Sequence, residues 1–185
     1  MNHFQDGDRP SLEEVLENRE SRRRRIDRFL ADRPETTVVC FKLNIPGPVK
    51  NNPWLRKLFR EGLEAIEEAL DLATKPPVVR EIFPDLPTGP EAFLVLDRDT
   101  GGVKRDMVAL EDHEVFGRFY DIDVEGGPGS IRPGAVSRED LGLSERKCFL
   151  CNQPAKVCAR SRAHAVEDMV QFIEESLAKE GFFKS

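Results

Sequence analysis

Apolar residues recur at helical spacing in four stretches of the chain, and short β-branched and aromatic runs lie between them. Leu12, Val15, Leu16, Ile26 and Leu30 share one helical face, with Arg19 and Arg23 on the same stripe. Ser11 with Glu14 forms a capping box at its start, and Pro34 stops the helix near Ala31. Thr36–Asn44 reads as a strand and ends in Pro46-Gly47-Pro48. Asn52-Pro53 opens a second helix with Leu55, Leu58, Phe59, Leu63, Ile66 and Leu70 inward, closed by Lys75-Pro76-Pro77. Val78–Phe83 and Ala92–Asp97 read as strands on either side of a Pro/Gly loop.

Val103, Met107 and Leu110 then predict a helix ending near His113. Over Arg118–Val124 strict alternation puts Phe119, Asp121 and Asp123 on one face and Tyr120, Ile122 and Val124 on the other. A return strand is expected at Ser130–Arg132, and a last helix from Arg162 to Glu180, stopped by Gly181. The order β-α-β-β-α-β from Thr36 to Val124 predicts an α+β fold of the ferredoxin-like kind. Its sheet would be antiparallel or mixed, with extra N- and C-terminal helices. One domain over 1–185 is expected. Residues 1–10 would form a flexible N-terminus, and 144–185 a Cys-rich loop with the C-terminal helix.

Hydrophobic residues make up 39% of the 185 and charged ones 34%, enough apolar material for a core. No apolar stretch approaches the roughly 20 residues that a bilayer span needs. The first ten residues show no basic segment followed by an apolar one, which argues against a secretory signal. Four cysteines, three of them late, suit reduced or metal-binding thiols in a cytoplasmic protein. The net charge of −6 argues against nucleic acid as a partner, and nothing points to a membrane. The cations are nonetheless clustered, 19 of 28 being arginine. They concentrate at Arg19–Arg28 and again around the late cysteines, as for discrete anionic ligands.

Asp121 and Asp123, two apart on a strand, point the same way and repel unless a cation compensates. Mg²⁺ fits such a pair and would serve phosphoryl or nucleotidyl transfer, with Glu111 as a third carboxylate; an exposed pair of solvated acids is the plain alternative. Cys148, Cys151, Cys158 and His164 supply the four ligands of a structural Zn²⁺ site, or else a set of reduced thiols. Lys147, Arg160 and Arg162 beside them offer an anion pocket in which His164 would be a general acid or base. Lys50, between a strand and a helix, would meet a phosphate, and Arg19 with Arg22 would clamp one. Each of these also reads as ordinary surface.

Together the motifs resemble the CitX family, the citrate lyase holo-acyl-carrier-protein synthases. They are Arg19-Glu20-x-Arg22, Pro46-Gly47-Pro48-Val49-Lys50-Asn51, Gly89-Pro90-Glu91, Leu110-Glu111, Gly117-Arg118-x2-Asp121-Ile122-Asp123-Val124, and Arg146-Lys147-Cys148-x2-Cys151-x6-Cys158-Ala159-Arg160-x3-His164. The resemblance implies a nucleotidyltransferase-type transferase with a nucleotidyltransferase-like fold. It would move the prosthetic group of 2'-(5''-triphosphoribosyl)-3'-dephospho-CoA to a serine of the apo acyl carrier (gamma) subunit of citrate lyase, releasing diphosphate. By position, Asp121 and Asp123 would bind Mg²⁺. Arg146 and Arg160 would hold the diphosphate, Lys50 another phosphate, and Arg118 stands beside the acids. The chain departs from the family pattern at Arg22–Ile26 and at residues 112–116, which lack a His-Pro-Leu before Gly117. Two other functions suit the same residues: a nucleotidyltransferase for another nucleotide, and a zinc-stabilised protein-binding module.

Overall fold

The computed structural model describes residues 3–184. Helix α1 (Leu12–Asp32) starts where the capping box predicts. The Ser11 hydroxyl accepts from the Glu14 amide at 3.2 Å, and the Glu14 carboxylate accepts from the Ser11 amide at 2.7 Å. There follow β1 (Thr37–Leu43), α2 (Pro53–Ala69), β2 (Val79–Phe83), β3 (Glu91–Leu96) and α3 (Thr100–His113). The chain continues with β4 (Tyr120–Gly126), β5 (Gly134–Ala135), α4 (Ala155–Ser161) and α5 (Val166–Lys179). Asn52 caps α2 through the Leu55 amide, with Pro53 in the first turn, where its missing N–H costs nothing.

All strand pairs are antiparallel, in the order β2-β3-β1-β4-β5. Without the two-residue β5 this is the split βαβ arrangement expected from the element order. Of the antiparallel and mixed alternatives, the antiparallel sheet forms. No described helix is long and apolar enough to cross a membrane.

Alternation along the strands divides the sheet into two faces. Val39 and Phe41, Leu94 and Leu96, and Tyr120, Ile122 and Val124 face the main core with α2 and α3. On the other face Val38, Cys40, Phe93 and Val95 take Ile26, Phe29 and Leu30 of α1. Each such buried side chain is worth about 1.5–3 kcal/mol. Gly62 lets α2 approach closely: a Cβ there would lie 2.6 Å from the Phe41 ring and 2.8 Å from that of Tyr120. This contact sets the height of β4 against the core just before Asp121.

Three expectations are corrected. Alternation in the aspartate segment begins only at Tyr120, because Gly117–Phe119 forms a 3-10 turn that buries Phe119 in the main core instead of beside the acids. The return strand lies at Gly134–Ala135; residues 127–130 form a tight turn against Pro34, and the chain pairs only after it. The last helix begins at Val166 and not at Arg162, because a separate short helix, α4, forms in the expected Cys-rich loop and ends where Arg162 adopts a left-handed φ of 50°. Residues 3–10 are held at several points. Phe4 is buried, and Asp8 exchanges backbone hydrogen bonds with Lys50 and Asn51 at 2.9 and 2.8 Å. Met1 and Asn2 lie outside the described residues.

Candidate active site

On the α1 side of the sheet β4 carries three acids in alternation, Asp121, Asp123 and Glu125. Each meets a cation. Lys42 of β1, opposite Asp121 in register, donates from Nζ to Asp121 Oδ2 at 2.6 Å and to Asp123 Oδ2 at 2.7 Å. Arg23 of α1 makes a two-pronged pair with Glu125 at 2.7 and 3.0 Å. On β3, Glu91 is held by Arg22 and by Asn18 at 2.7 Å. The Lys42 side chain is 15% exposed, while those of Asp121 and Asp123 are 45% and 64% exposed. The two carboxylates therefore rest on a half-sunk ammonium and open outward. Their Oδ1 atoms accept no hydrogen bond from the described residues.

Among the described residues, β4 has no neighbouring strand on its outer edge beyond Glu125 and Gly126. Unpaired backbone groups are costly when buried, and here side chains satisfy them. Arg146 donates to the Tyr120 carbonyl at 2.8 Å, Lys104 to the Ile122 carbonyl at 3.1 Å, and the Ile122 amide donates to Glu111 at 3.2 Å. Glu111, 5% exposed, also pairs with Arg138 at 2.8 Å and Arg146 at 2.5 Å. These groups and the two aspartates line a cleft of about 400 Å³ that also reaches Asn44. Burial pulls the Lys104 pKa down, against the upward pull of Glu111 and Asp123.

The late cysteines gather as their spacing predicts. Sγ of Cys148, Cys151 and Cys158 and a ring nitrogen of His164 all lie within 4.8 Å of one another. Cys151 Sγ is 3.5 Å from Cys158 Sγ and 3.3 Å from His164 Nε2. Burial opposes ionisation of Cys148, yet hydrogen bonds from the amides of Leu150 and Cys151 outweigh it and hold the thiol below its usual range. Three thiols and an imidazole at these separations can hold a metal ion. Behind the cluster a second, more apolar cavity of about 580 Å³ shares Asn44 and Arg146 with the acid cleft.

The anticipated residues divide accordingly. Asp121, Asp123, Glu111 and Arg146 meet at one cleft, but Glu111 is neutralised by two guanidinium groups and faces the strand edge. His164 belongs to the cysteine cluster. Arg118 donates to the Cys148 carbonyl at 2.8 Å and lies 5.6 Å from the ring centres of Phe149 and Phe172, tying the turn before β4 to the cysteine loop. Lys50 donates to the Ile45 carbonyl of its own loop at 2.8 Å. Arg22 is engaged by Glu91, whereas Arg19 and Arg160 are exposed. Sequence reasoning missed Lys42, Lys104 and Arg138. Lys42 had a signal, a charge inside an otherwise apolar strand; Arg138 sits in a loop with none.

The chain matches the family model described as CitX, apo-citrate lyase phosphoribosyl-dephospho-CoA transferase, over residues 10–180. It is 36% identical over 171 residues to a probable apo-citrate lyase phosphoribosyl-dephospho-CoA transferase of Streptococcus pyogenes serotype M3, covering 92% of this chain and 87% of that protein. A Vibrio cholerae serotype O1 protein of the same description is 34% identical over 166 residues, covering 89% and 90%. Protein CitXG of Leuconostoc mesenteroides subsp. cremoris is 32% identical over 179 residues; these cover 96% of this chain but only 37% of that longer protein.

The Lys42 clamp has a pH signature. Burial alone would raise the Asp123 pKa, but Lys42, Lys104 and Arg22 outweigh it and hold the carboxyl below its ordinary 3.8. Burial alone would lower the Lys42 pKa, but Asp121 and Asp123 keep it above its ordinary 10.5. The stabilisation is thus fully present between those two ordinary values. It is lost as pH falls through the depressed Asp123 value or rises through the elevated Lys42 value. In Lys42→Met the Asp123 carboxyl should titrate higher by ¹³C NMR, and the Tm should lie below wild type across this window, with the gap narrowing in acid. Superimposable Tm profiles would show that the clamp contributes nothing.

Proposed function

The chain belongs to the CitX family of apo-citrate lyase phosphoribosyl-dephospho-CoA transferases, and on that premise we propose the following reaction for it. It transfers the phosphoribosyl-dephospho-CoA group of 2'-(5''-triphosphoribosyl)-3'-dephospho-CoA to a serine of the citrate lyase acyl carrier protein. The observation that carries this reading is the pair of outward-facing aspartates at the rim of a cation-lined cleft. The chemistry is of nucleotidyltransferase type. The serine oxygen forms a bond to the α-phosphorus while the bond to the bridging oxygen of the diphosphate breaks, and the diphosphate leaves with that electron pair. The serine proton passes to solvent.

Asp121 and Asp123 would hold Mg²⁺ through their free oxygens; when bound, that ion supplies charge neutralisation at the reacting phosphates. Lys42 bonds both carboxylates and aims them to one side. Arg146 brings a guanidinium to the same cleft, where it offsets charge on the departing diphosphate. Lys104 and Arg138 add to the positive field without leaving their own partners. The Cys148, Cys151, Cys158 and His164 set suits structural Zn²⁺, with His164 serving as ligand and not as base. Its loading would pin the loop that delivers Arg146.

The acyl carrier protein, acidic as such carriers usually are, needs exposed cations. In α1, Arg22, Arg23, Arg25 and Arg28 already pair with Glu91, Glu125 and Glu81. Lys147, Arg160 and Arg162 are exposed, with no carboxylate partner among the described residues. The carrier docks against this patch through Arg160, beside the cleft.

Three measurements test these assignments. Asp121→Asn with Asp123→Asn should stay folded by circular dichroism and slow carrier modification, read by intact mass, at least about a hundredfold; wild-type turnover would refute the site. Elemental analysis should find one zinc per chain, reduced in Cys158→Ser, and a metal-free wild type would refute the zinc assignment. Arg160→Glu should raise the KM for the carrier several-fold in low salt and leave kcat alone. An unchanged KM would place docking elsewhere.

A further inference from the structure

We infer that the apolar cavity behind the Cys/His cluster binds the adenosine of the donor, and that Lys147 and Arg162 at its rim take the diphosphate that links adenosine to pantetheine. This rests on the transferase reading above. The cavity, about 580 Å³, lies between the loop after β1, the cysteine loop and the start of α5. That size is typical of sites for nucleotide-sized ligands, which run from roughly 300 to 1,000 Å³. Ile45, Pro46, Phe149, Ala159 and Met169 supply apolar walls.

Two observations select the occupant. Asn44 and Arg146 line both this cavity and the acid cleft, so one ligand can run through both. Outward from the reacting phosphorus, the donor presents a ribose, then adenosine, then a diphosphate, and only then pantetheine. The first large apolar group to reach the cavity is therefore adenine. Beyond it the next group is anionic, and the cavity lining includes Lys147 and Arg162. Arg162 ends α4 as its left-handed cap, with a φ of 50°. The Ala163 amide, donating to the Cys158 carbonyl at 3.1 Å, fixes that turn to the cluster.

The test titrates the full chain, zinc-loaded, with dephospho-CoA, ADP and pantetheine by calorimetry, and labels it with 8-azido-ADP. Dephospho-CoA and ADP should bind and compete, and pantetheine should not displace ADP. Ala159→Trp, on the exposed side of α4, should weaken both nucleotides about tenfold or more by filling the cavity. Label should appear on peptides containing Phe149 or Met169. Unchanged ADP affinity in Ala159→Trp, pantetheine displacing ADP, or label confined to other peptides would each overturn the inference. Mg²⁺–tripolyphosphate separates this from the transferase reading, because it probes the acid cleft alone. Its binding should survive Ala159→Trp and fail in Asp121→Asn with Asp123→Asn. Loss of tripolyphosphate binding in wild type would count against the transferase reading, while the ADP results would still decide the cavity.

Discussion

The site depends on how a half-paired strand is satisfied. β4 is bonded to β1 along its whole length, but on its outer edge only its last two residues meet β5. An open edge in a protein interior leaves amides and carbonyls that must find partners. The partners here are ionic side chains: Arg146 and Lys104 on carbonyls and Glu111 on an amide. The same requirement that completes the strand therefore lines a cleft with charge next to Asp121 and Asp123. Because Arg146 comes from the loop leading into Cys148, the strand edge and the cysteine cluster are mechanically joined.

The charges on this strand differ in weight. Arg138 and Arg146 share the buried carboxylate of Glu111, so deleting either guanidinium would leave a nearly dry charge less compensated. Glu91 under Arg22 and Asn18 is of the same kind. Arg23 with Glu125 is more open, and pairs of that kind contribute about 0–1 kcal/mol. Lys42 stands between these cases. Its ammonium is sunk in the sheet while its two acids reach solvent, which leaves carboxylate oxygens free for a ligand and removes the repulsion that would drive the acids apart. A helix rich in arginine thus meets the acids of the sheet through Arg22, Arg23 and Arg25, while Arg19 and Arg24 stay on a solvated face.

The chain's periodicities carried the split βαβ core, because burial against a sheet imposes spacings of two and of three to four that any reader of the residues can count. The caps at Ser11 and Asn52 and the break at Pro34 marked boundaries to within a residue or two, whereas α2 ends at Ala69, well before Pro76. The Cys/His cluster was equally open, since its chemistry is written in residue types and its ligands lie within seventeen positions. Where signals were short they misled. Three residues of turn before β4, two of β5 and seven of α4 are too few to show a period.

By itself, then, the sequence determined the element order, the two aspartates on one face, the metal-capable cluster and the family. Only the tertiary structure decided which cations serve those acids. Lys42 and Asp121 are 79 positions apart, and antiparallel register between β1 and β4 sets them face to face. It also drew Glu111 away to two arginines and committed Arg22, Arg23 and Arg25 of α1 to acids of the sheet. Pairing between charges is settled by distance in space, and local patterns hold no record of distances that folding alone creates.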